Sequence, residues 1–104
     1  MADGGGADPP MVVGESGMRQ HAVPYRFDLI PVEPLFRIAE VLARGAEVHG
    51  VDNWRKGTPD EHYNRLIAHA MAWKRGDEDE DHLTHIACRA LMLWSVVLAR
   101  GDGR

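Results

Sequence analysis

The densest group of side chains capable of chemistry is an acidic run, DEDED at residues 77–81, which leads directly into His82 and His85. On a helix, His82 and His85 share a face because they lie three residues apart, and Asp81 lies one turn before His85. Carboxylates and imidazoles in this arrangement can bind a divalent metal ion or relay protons. Consecutive acids are also typical of a solvated helix start, where the helix dipole stabilises negative charge. Both interpretations stay open at this point.

A second group of polar side chains occupies a short segment, VDNWRKG at residues 51–57. Arg55 and Lys56 can hold phosphate oxygens, and Trp54 can stack on a base. The alternative is that Trp54 fills the core while both cations are solvated. The segment is therefore a candidate nucleotide contact for which a purely structural explanation is also available.

Other reactive side chains have simple structural explanations. His69 shares a predicted helix face with His62, and a histidine in this setting is more often hydrogen bonded within the fold than catalytic. Glu40 and Glu47 lie seven residues apart and could frame a cation, although neighbouring arginines make exposed ion pairs the simpler account. Cys88 lies in a mostly apolar segment and is predicted to be a small buried residue rather than a nucleophile.

Hydrophobic periodicity and helix punctuation predict two helices upstream of the acidic run. The first covers residues 33–48, with Pro34 in its first turn and Gly50 as its stop. The second starts at a capping box, in which Thr58 is the cap and Glu61 lies three residues later, and runs to residue 75. The predicted core-facing stripes are Leu35, Ile38, Ala39, Leu42 and Ala46 in the first helix and Tyr63, Leu66, Ile67, Ala70 and Met71 in the second.

The third helix is predicted to begin within the acidic run and to extend to residue 99. Its distal half, LMLWSVVL at residues 91–98, is apolar almost all round, and such a helix must be buried on every side. Two other helices can hardly cover it in a domain of about 80 ordered residues. The sequence therefore predicts an all-α fold, a small helical bundle of about three main helices completed by oligomerisation, as a homo-dimer or homo-tetramer.

The segments outside these helices lack periodicity. Residues 1–23 are rich in glycine, proline and acid and are predicted to form a flexible N-terminal arm. Residues 24–100 would form the all-α domain, and residues 101–104 a frayed C-terminus. We find no segment with sustained strand alternation.

Composition argues against several classes of function. The 12 Lys and Arg residues against 16 Asp and Glu give a net charge of −4, which disfavours binding to a nucleic acid polymer. A single cysteine excludes an intramolecular disulfide and suits a reducing compartment. The chain start has no secretory signal, and no apolar run reaches the ~18 residues that span a bilayer, so no membrane partner is expected. We expect a cytoplasmic domain.

Several segments occur in a familiar order: SGMR at 16–19, RFDLIP at 26–31, GA at 45–46, NWRKG at 53–57, His69 with AW at 72–73 and Gly76, and HLTHIAC at 82–88. In this order they resemble the N-terminal domain of the phage dATP/dGTP diphosphohydrolases, over residues 16–95. The resemblance implies a plan related to the MazG-like all-α pyrophosphohydrolases, which are helical oligomers that use carboxylate-bound Mg²⁺. It also implies a phage protein in the host cytoplasm, or a protein of the bacterial cytosol.

The resemblance implies metal-dependent hydrolysis of dATP or dGTP to the monophosphate and pyrophosphate. Divalent ions, Mg²⁺ or Mn²⁺, would neutralise the triphosphate and activate the attacking water. Because Mg²⁺ prefers oxygen ligands, the implied metal ligands are Glu40, Asp79 and Asp81. The implied catalytic residues are Asp81, His82 and His85, and the implied substrate-binding residues are Asn53, Trp54, Arg55, Lys56 and His69.

Three positions depart from the pattern of that family. Glu47 stands where the family usually has lysine, Ala68 where it usually has arginine, and Arg89 where it often has asparagine. Fewer cations near a polyphosphate would weaken substrate attraction unless Arg89 compensates. The alternative function is therefore a non-catalytic helical oligomer that binds nucleotides or a protein partner on a degenerate pyrophosphohydrolase scaffold.

Overall fold

The computed structural model describes residues 10–101, which form two compact units, residues 10–31 and residues 32–101. The larger unit contains three helices, α1 (Val32–His49), α2 (Pro59–Lys74) and α3 (His82–Ala99). A 3₁₀ turn (Asn53–Lys56) lies in the connection between α1 and α2. Because α3 packs against both α1 and α2, it is the central helix of this unit. The predicted all-α bundle of three main helices is confirmed, whereas completion by a second chain stays a prediction.

The smaller unit contains a two-stranded antiparallel hairpin that the sequence does not predict. Strands β1 (Met11–Val13) and β2 (Arg19–His21) are paired, and a 3₁₀ turn (Phe27–Leu29) follows. Each strand has three residues, all exposed, which is too short for a period of two to be recognised. Residues 1–9 of the predicted arm and 102–104 of the predicted frayed end lie outside the described residues, and the flexibility of the arm stays a prediction.

The predicted start of α2 is confirmed in detail. The Thr58 hydroxyl accepts a hydrogen bond from the Glu61 backbone N–H at 3.1 Å, and the Glu61 carboxylate accepts one from the Thr58 N–H at 2.9 Å. This reciprocal capping box satisfies two backbone donors that a helix start would otherwise leave unpaired. It therefore fixes where α2 begins relative to the preceding 3₁₀ turn.

Helix α3 begins at His82, so the prediction that it begins within the acidic run is wrong. Asp81 is its N-cap, because the Asp81 carboxylate accepts hydrogen bonds from the N–H and the hydroxyl of Thr84, at 3.2 and 2.6 Å. Upstream, the Asp77 carboxylate accepts a hydrogen bond from the Asp79 N–H at 3.2 Å. Aspartates that bond the nearby backbone in this way favour turns and caps over helix interiors, so the first four acids precede the helix.

The face of α2 that packs against α3 differs from the predicted apolar stripe. His62 is only 2% exposed, and His69 is hydrogen bonded to His82 of α3. Two members of the predicted stripe, Tyr63 and Met71, are instead 56% and 67% exposed. The histidines can occupy the inner face because α3 supplies hydrogen-bond partners for their rings. Part of the apolar surface of α2 is consequently left uncovered.

The distal half of α3 also leaves apolar surface exposed. Leu91, Trp94 and Leu98, called here the α3 stripe, lie on one helix face and are 49%, 63% and 58% exposed. By length and composition alone α3 could cross a membrane, with a mean hydropathy of 1.4 over 18 residues of which 22% are buried. A single helix of this kind is weak evidence for a membrane span. In addition, His82 and Arg89 of α3 are hydrogen bonded to α2.

Candidate functional site

A cationic pocket of about 590 Å³ is formed by α2, the 3₁₀ turn before it and Arg89 of α3. Its positive charges come from Lys56, Arg65 and Arg89. Burial, and then the charge of Arg65, lower the pKa of Arg89, which as a guanidinium nevertheless stays charged. Three cations around one depression attract an anion such as a phosphate group. The other lining residues are Asn53, Trp54, Gly57, Glu61, His62 and Asn64.

His62 connects two sides of the cationic pocket. Its Nε2 lies 2.9 Å from the backbone carbonyl oxygen of Trp54, and its Nδ1 lies 3.0 Å from Nη1 of Arg89. A carbonyl can only accept a hydrogen bond and a guanidinium can only donate one. His62 therefore donates from Nε2 and accepts at Nδ1, and a single neutral tautomer satisfies both contacts. The His62 ring therefore links the 3₁₀ turn to Arg89.

The ring of His62 leaves no room for a side chain at Gly57. A Cβ added at Gly57 would lie 2.6 Å from His62 Nε2. We predict that Gly57→Ala lowers the free energy of unfolding by about 1–3 kcal/mol, the usual cost of overpacking a well-packed site. Gly45→Ala in α1 is the matched control, because its Cβ would meet no atom within 4 Å and the helix would be stabilised. Urea denaturation followed by circular dichroism measures both, and equal effects would contradict the proposed clash.

The predicted substrate-binding residues of the NWRKG segment lie on more than one surface. Asn53, Trp54 and Lys56 line the cationic pocket, whereas Arg55 is not among its lining residues. The Arg55 guanidinium instead lies 4.3 Å from the centre of the Trp54 ring and 3.4 Å from the Asp52 carboxylate. Arg55 thus covers one face of Trp54, and a base could stack on that face only by displacing it.

A mainly apolar groove of about 850 Å³ adjoins the cationic pocket. It lies among the second half of α1, residues 50–55 and one face of α3, and it shares Asn53, Trp54 and Arg89 with the pocket. His85 and Cys88 lie on its α3 side. Cys88 is 2% exposed, and burial raises the pKa of its thiol, which favours a packing role over a nucleophilic one. The two depressions together offer an apolar surface directly beside a cationic one.

His82 is the centre of a histidine cluster, which consists of His69, His82 and His85 with the carboxylates of Asp77 and Glu80. The His82 ring is 5% exposed, and its Nε2 donates a hydrogen bond to Asp77 Oδ2 at 2.8 Å. Its other nitrogen, Nδ1, lies 2.9 Å from Nδ1 of His69 on α2. The hydrogen bond from His82 lowers the pKa of Asp77, so this carboxylate remains ionised. His82 therefore connects α2 with the turn before α3.

His69 and His85 pack face to face in the same cluster. Their ring centres are 4.7 Å apart with an angle of 12° between planes, and His85 Nε2 lies 3.9 Å from Glu80 Oε1. Burial, followed by the charge of His85, lowers the pKa of His69, which favours its neutral form. Because His85 also lines the apolar groove, it is the member of the cluster that reaches the candidate nucleotide surface.

Asp79 and Asp81 line a separate acidic depression of about 610 Å³ at the start of α3, together with Glu33, Glu78 and Glu80. Hydrogen bonds from Thr84 lower the pKa of Asp81, and the Arg37 guanidinium lies 3.7 Å away. Glu40, the third predicted metal ligand, is exposed on α1 and is not among the residues that line this depression. The structure thus brings two of the three predicted ligands together.

The structure places three of the predicted site residues, His69, His82 and His85, in one cluster, although the resemblance implies substrate binding for His69 and catalysis for the other two. Sequence reasoning missed His62 and Arg65 of the cationic pocket. One signal for His62 was present, because His62 and His69 lie seven residues apart and therefore share a helix face. Had that face been taken as the inner one, both histidines would have been expected to contact α3.

Comparison with known proteins identifies one family. A family model described as dATP/dGTP diphosphohydrolase, N-terminal, matches residues 14–103. The matched range includes the cationic pocket, the apolar groove, the histidine cluster and the acidic depression. Searches among curated proteins and among solved structures give no match. The resemblance stated from the sequence segments is confirmed at the level of the family.

Proposed function

Because this chain belongs to the family of dATP/dGTP diphosphohydrolase N-terminal domains, we propose that it hydrolyses purine deoxynucleoside triphosphates to the monophosphate and pyrophosphate. The observation that carries this proposal is the cationic pocket beside the apolar groove. The triphosphate occupies the cationic side, and the base occupies the groove. Asn53 and Trp54 line both depressions and contact the sugar or the base.

Lys56, Arg65 and Arg89 supply the charge that holds the phosphates. Guanidinium groups bind phosphate oxygens through paired hydrogen bonds, whereas lysine acts as a point charge. His62 holds Arg89 through one of its donors, which leaves the other donors of Arg89 for an anion. Arg89 thereby compensates for the cations that the family pattern has where this chain carries Glu47 and Ala68.

A divalent ion, Mg²⁺ or Mn²⁺, completes the proposed site. The acidic depression suits such an ion by its donor chemistry, because Asp79 and Asp81 provide the oxygen ligands that Mg²⁺ prefers. The carboxylate of Asp81 accepts two hydrogen bonds from Thr84 and has further lone pairs available. For such an ion to neutralise phosphate charge and lower the pKa of the attacking water, the triphosphate must extend from the cationic pocket to the acidic depression, which shares no lining residue with it. Glu40 stays a prediction as a further ligand.

His85 accepts the proton of the attacking water. It lies one helical turn before Arg89 on the same face of α3 and lines the same groove, so water beside a phosphate held by Arg89 is within its reach. The water oxygen bonds to the α-phosphorus. The bond between this phosphorus and the oxygen that bridges it to the β-phosphate breaks, and pyrophosphate leaves with the electron pair. His82, which is hydrogen bonded to Asp77, orients His69, and the stacked His69 ring orients His85.

We predict that Arg89→Gln raises KM for the nucleotide by about tenfold, which corresponds to about 1.4 kcal/mol. Glutamine can still donate a hydrogen bond to His62 Nδ1, so the variant removes the charge and spares the buried contact. Steady-state kinetics at fixed metal concentration measure the change, with the exposed Arg75→Gln as the control. An unchanged KM in Arg89→Gln would place the phosphates elsewhere.

The experiment that tests the proposed reaction is incubation of the purified chain with each of the four deoxynucleoside triphosphates in Mg²⁺ or Mn²⁺. Pyrophosphate is expected from dATP or dGTP. If no nucleotide yields pyrophosphate, hydrolysis is discarded and the alternative of a non-catalytic binding module remains. The observation that favours this alternative is the set of family departures at Glu47 and Ala68, and calorimetry with dATP in the absence of turnover would test it.

The chain is also proposed to act as a homo-dimer or homo-tetramer. The support is the α3 stripe, together with exposed apolar residues on the predicted inner stripes of the other helices: Leu35, Tyr63, Ile67 and Met71. A second copy covering these surfaces would bury apolar area that one chain leaves in water. We predict a dimer or tetramer in sedimentation equilibrium. Trp94→Glu is expected to shift the association equilibrium towards the monomer. A wild-type protein that is strictly monomeric would contradict this.

A further inference from the structure

We propose that the histidine cluster contains a transition-metal site formed by His69, Glu80 and His82. A ligand atom from each of these side chains lies within 4.8 Å of the other two. The residues come from α2, from the turn before α3 and from the first position of α3. Two imidazoles and a carboxylate from separate elements thus converge on one point beside the acidic depression, which Glu80 also lines.

Asp77 prepares His82 for this role. The carboxylate can only accept, so His82 Nε2 carries the proton of the 2.8 Å hydrogen bond, and in the neutral ring Nδ1 presents a lone pair. That nitrogen is the one that lies 2.9 Å from His69 Nδ1. Histidine ligands in metal sites commonly donate their other N–H to a carboxylate, which fixes the tautomer and increases ligand basicity. The Asp77–His82 pair has this arrangement.

His69 can provide the second nitrogen ligand. In the metal-free protein its Nδ1 donates to His82 Nδ1. An ion between the two rings would displace that hydrogen, and the neutral His69 ring would carry its proton on Nε2 instead. The His85 ring, stacked on His69 at 4.7 Å, restrains the plane of the ligand in either case. Moving the His69 proton from Nδ1 to Nε2 requires only proton exchange with solvent, and it leaves the net charge of the ring unaltered.

The donor set favours a borderline metal over Mg²⁺. Imidazole nitrogen suits borderline ions such as Zn²⁺ and Co²⁺, whereas Mg²⁺ is bound by oxygen ligands. Three protein ligands leave at least one coordination position for water or substrate, as in catalytic zinc sites. Its ligands differ from Asp79 and Asp81, which are proposed for the hydrolytic ion, and it needs no nucleotide, although His69 and His82 also position His85.

Metal binding by the full chain in the absence of nucleotide tests the assignment. Co²⁺ is the probe, because its visible absorption changes when nitrogen ligands replace water, and Zn²⁺ should displace it. We expect one Co²⁺ per chain with the visible absorption of nitrogen ligation, and Asp77→Asn should lower the affinity for that ion by about 10–100-fold. Asp77→Asn keeps an acceptor for His82, so the fold is retained. Glu80→Gln, at an exposed residue, and His82→Ala each remove a proposed ligand, so they should weaken Co²⁺ binding more than Asp77→Asn does.

The controls separate this site from its neighbours. Asp79→Asn, two residues from Asp77, and His21→Ala, in the hairpin, should bind Co²⁺ as the wild type does. Circular dichroism confirms that each variant is folded. Absence of Co²⁺ binding by the wild type would overturn the assignment, and so would unchanged binding by both Asp77→Asn and Glu80→Gln. Loss of binding in Asp79→Asn alone would place the ion in the acidic depression. None of these readouts depends on whether the chain hydrolyses nucleotides.

Discussion

Replacing His85 with alanine is expected to lower kcat for dATP or dGTP hydrolysis by about 100-fold or more, the range for removal of a general base. His85 lines the apolar groove one turn from Arg89, and neither His69 nor His82 lines it. Alanine also favours the helical conformation, so α3 should remain folded. The measurement is single-turnover hydrolysis at saturating nucleotide, which separates the chemical step from binding.

The control for this prediction is His21→Ala, which removes an exposed histidine from the hairpin and should leave the rate unchanged. Circular dichroism and the oligomeric state should match those of the wild type for both variants. If His85→Ala hydrolyses at the wild-type rate, the proton acceptor lies elsewhere. If it also loses its fold, His85→Gln, which keeps the size and polarity of the side chain without an equivalent base, provides the same test.

Replacing Asp81 with asparagine is expected to lower turnover with Mg²⁺ by a similar factor, about 100-fold. An amide is a weaker ligand than a carboxylate for a hard cation, so the variant should also need more Mg²⁺ for half-maximal rate. Asparagine is as good an N-cap as aspartate, and its side-chain oxygen can still accept from Thr84. The variant keeps the bond from the Thr84 N–H but loses the one from the Thr84 hydroxyl, because an amide nitrogen cannot accept it. The change therefore tests the charge of Asp81 with the backbone cap retained.

The Mg²⁺ dependence distinguishes the outcomes for Asp81→Asn. Asp60→Asn, in the first turn of α2, is the control and should retain wild-type activity. Wild-type turnover and an unchanged Mg²⁺ requirement in Asp81→Asn would show that this carboxylate only caps α3. The Arg37 guanidinium, 3.7 Å away, would then be its sufficient partner.

The helices could be predicted where local signals dominate. Thr58 and Glu61 specify the start of α2 through contacts three residues apart, and a contact of that range is readable from sequence. The start of α3 was predicted too early because five acids suit a helix N-terminus electrostatically. Side-chain hydrogen bonds at Asp77 and Asp81 decide the boundary. Their partners lie only two and three residues along the chain, but the run offers three aspartates that could each cap a helix, so the sequence does not show which one does.

The inner face of α2 is predicted only in part, because hydrophobicity alone does not decide burial: Leu66 and Ala70 are half-buried as expected, whereas Tyr63 and Met71 are exposed. His62 and His69 are inside since Arg89 and His82 pair with their rings, and these partners are separated from them by 27 and 13 residues in sequence. The hydrophobic periodicity of one helix carries no information about such distant pairs. The loop cations were recognised from composition, yet only the fold shows that Arg55 lies on Trp54. The sequence therefore indicates which residues are candidates for the site, but not which side chains they contact in the fold.

Product analysis tests the central claim most directly. The wild-type chain is incubated with dATP or dGTP and Mg²⁺ or Mn²⁺, and the products are resolved by anion-exchange chromatography. We expect the nucleoside monophosphate and pyrophosphate in equal amounts, at a rate that His85→Ala lowers by about 100-fold. Unchanged nucleotide, or diphosphate with orthophosphate, would contradict it.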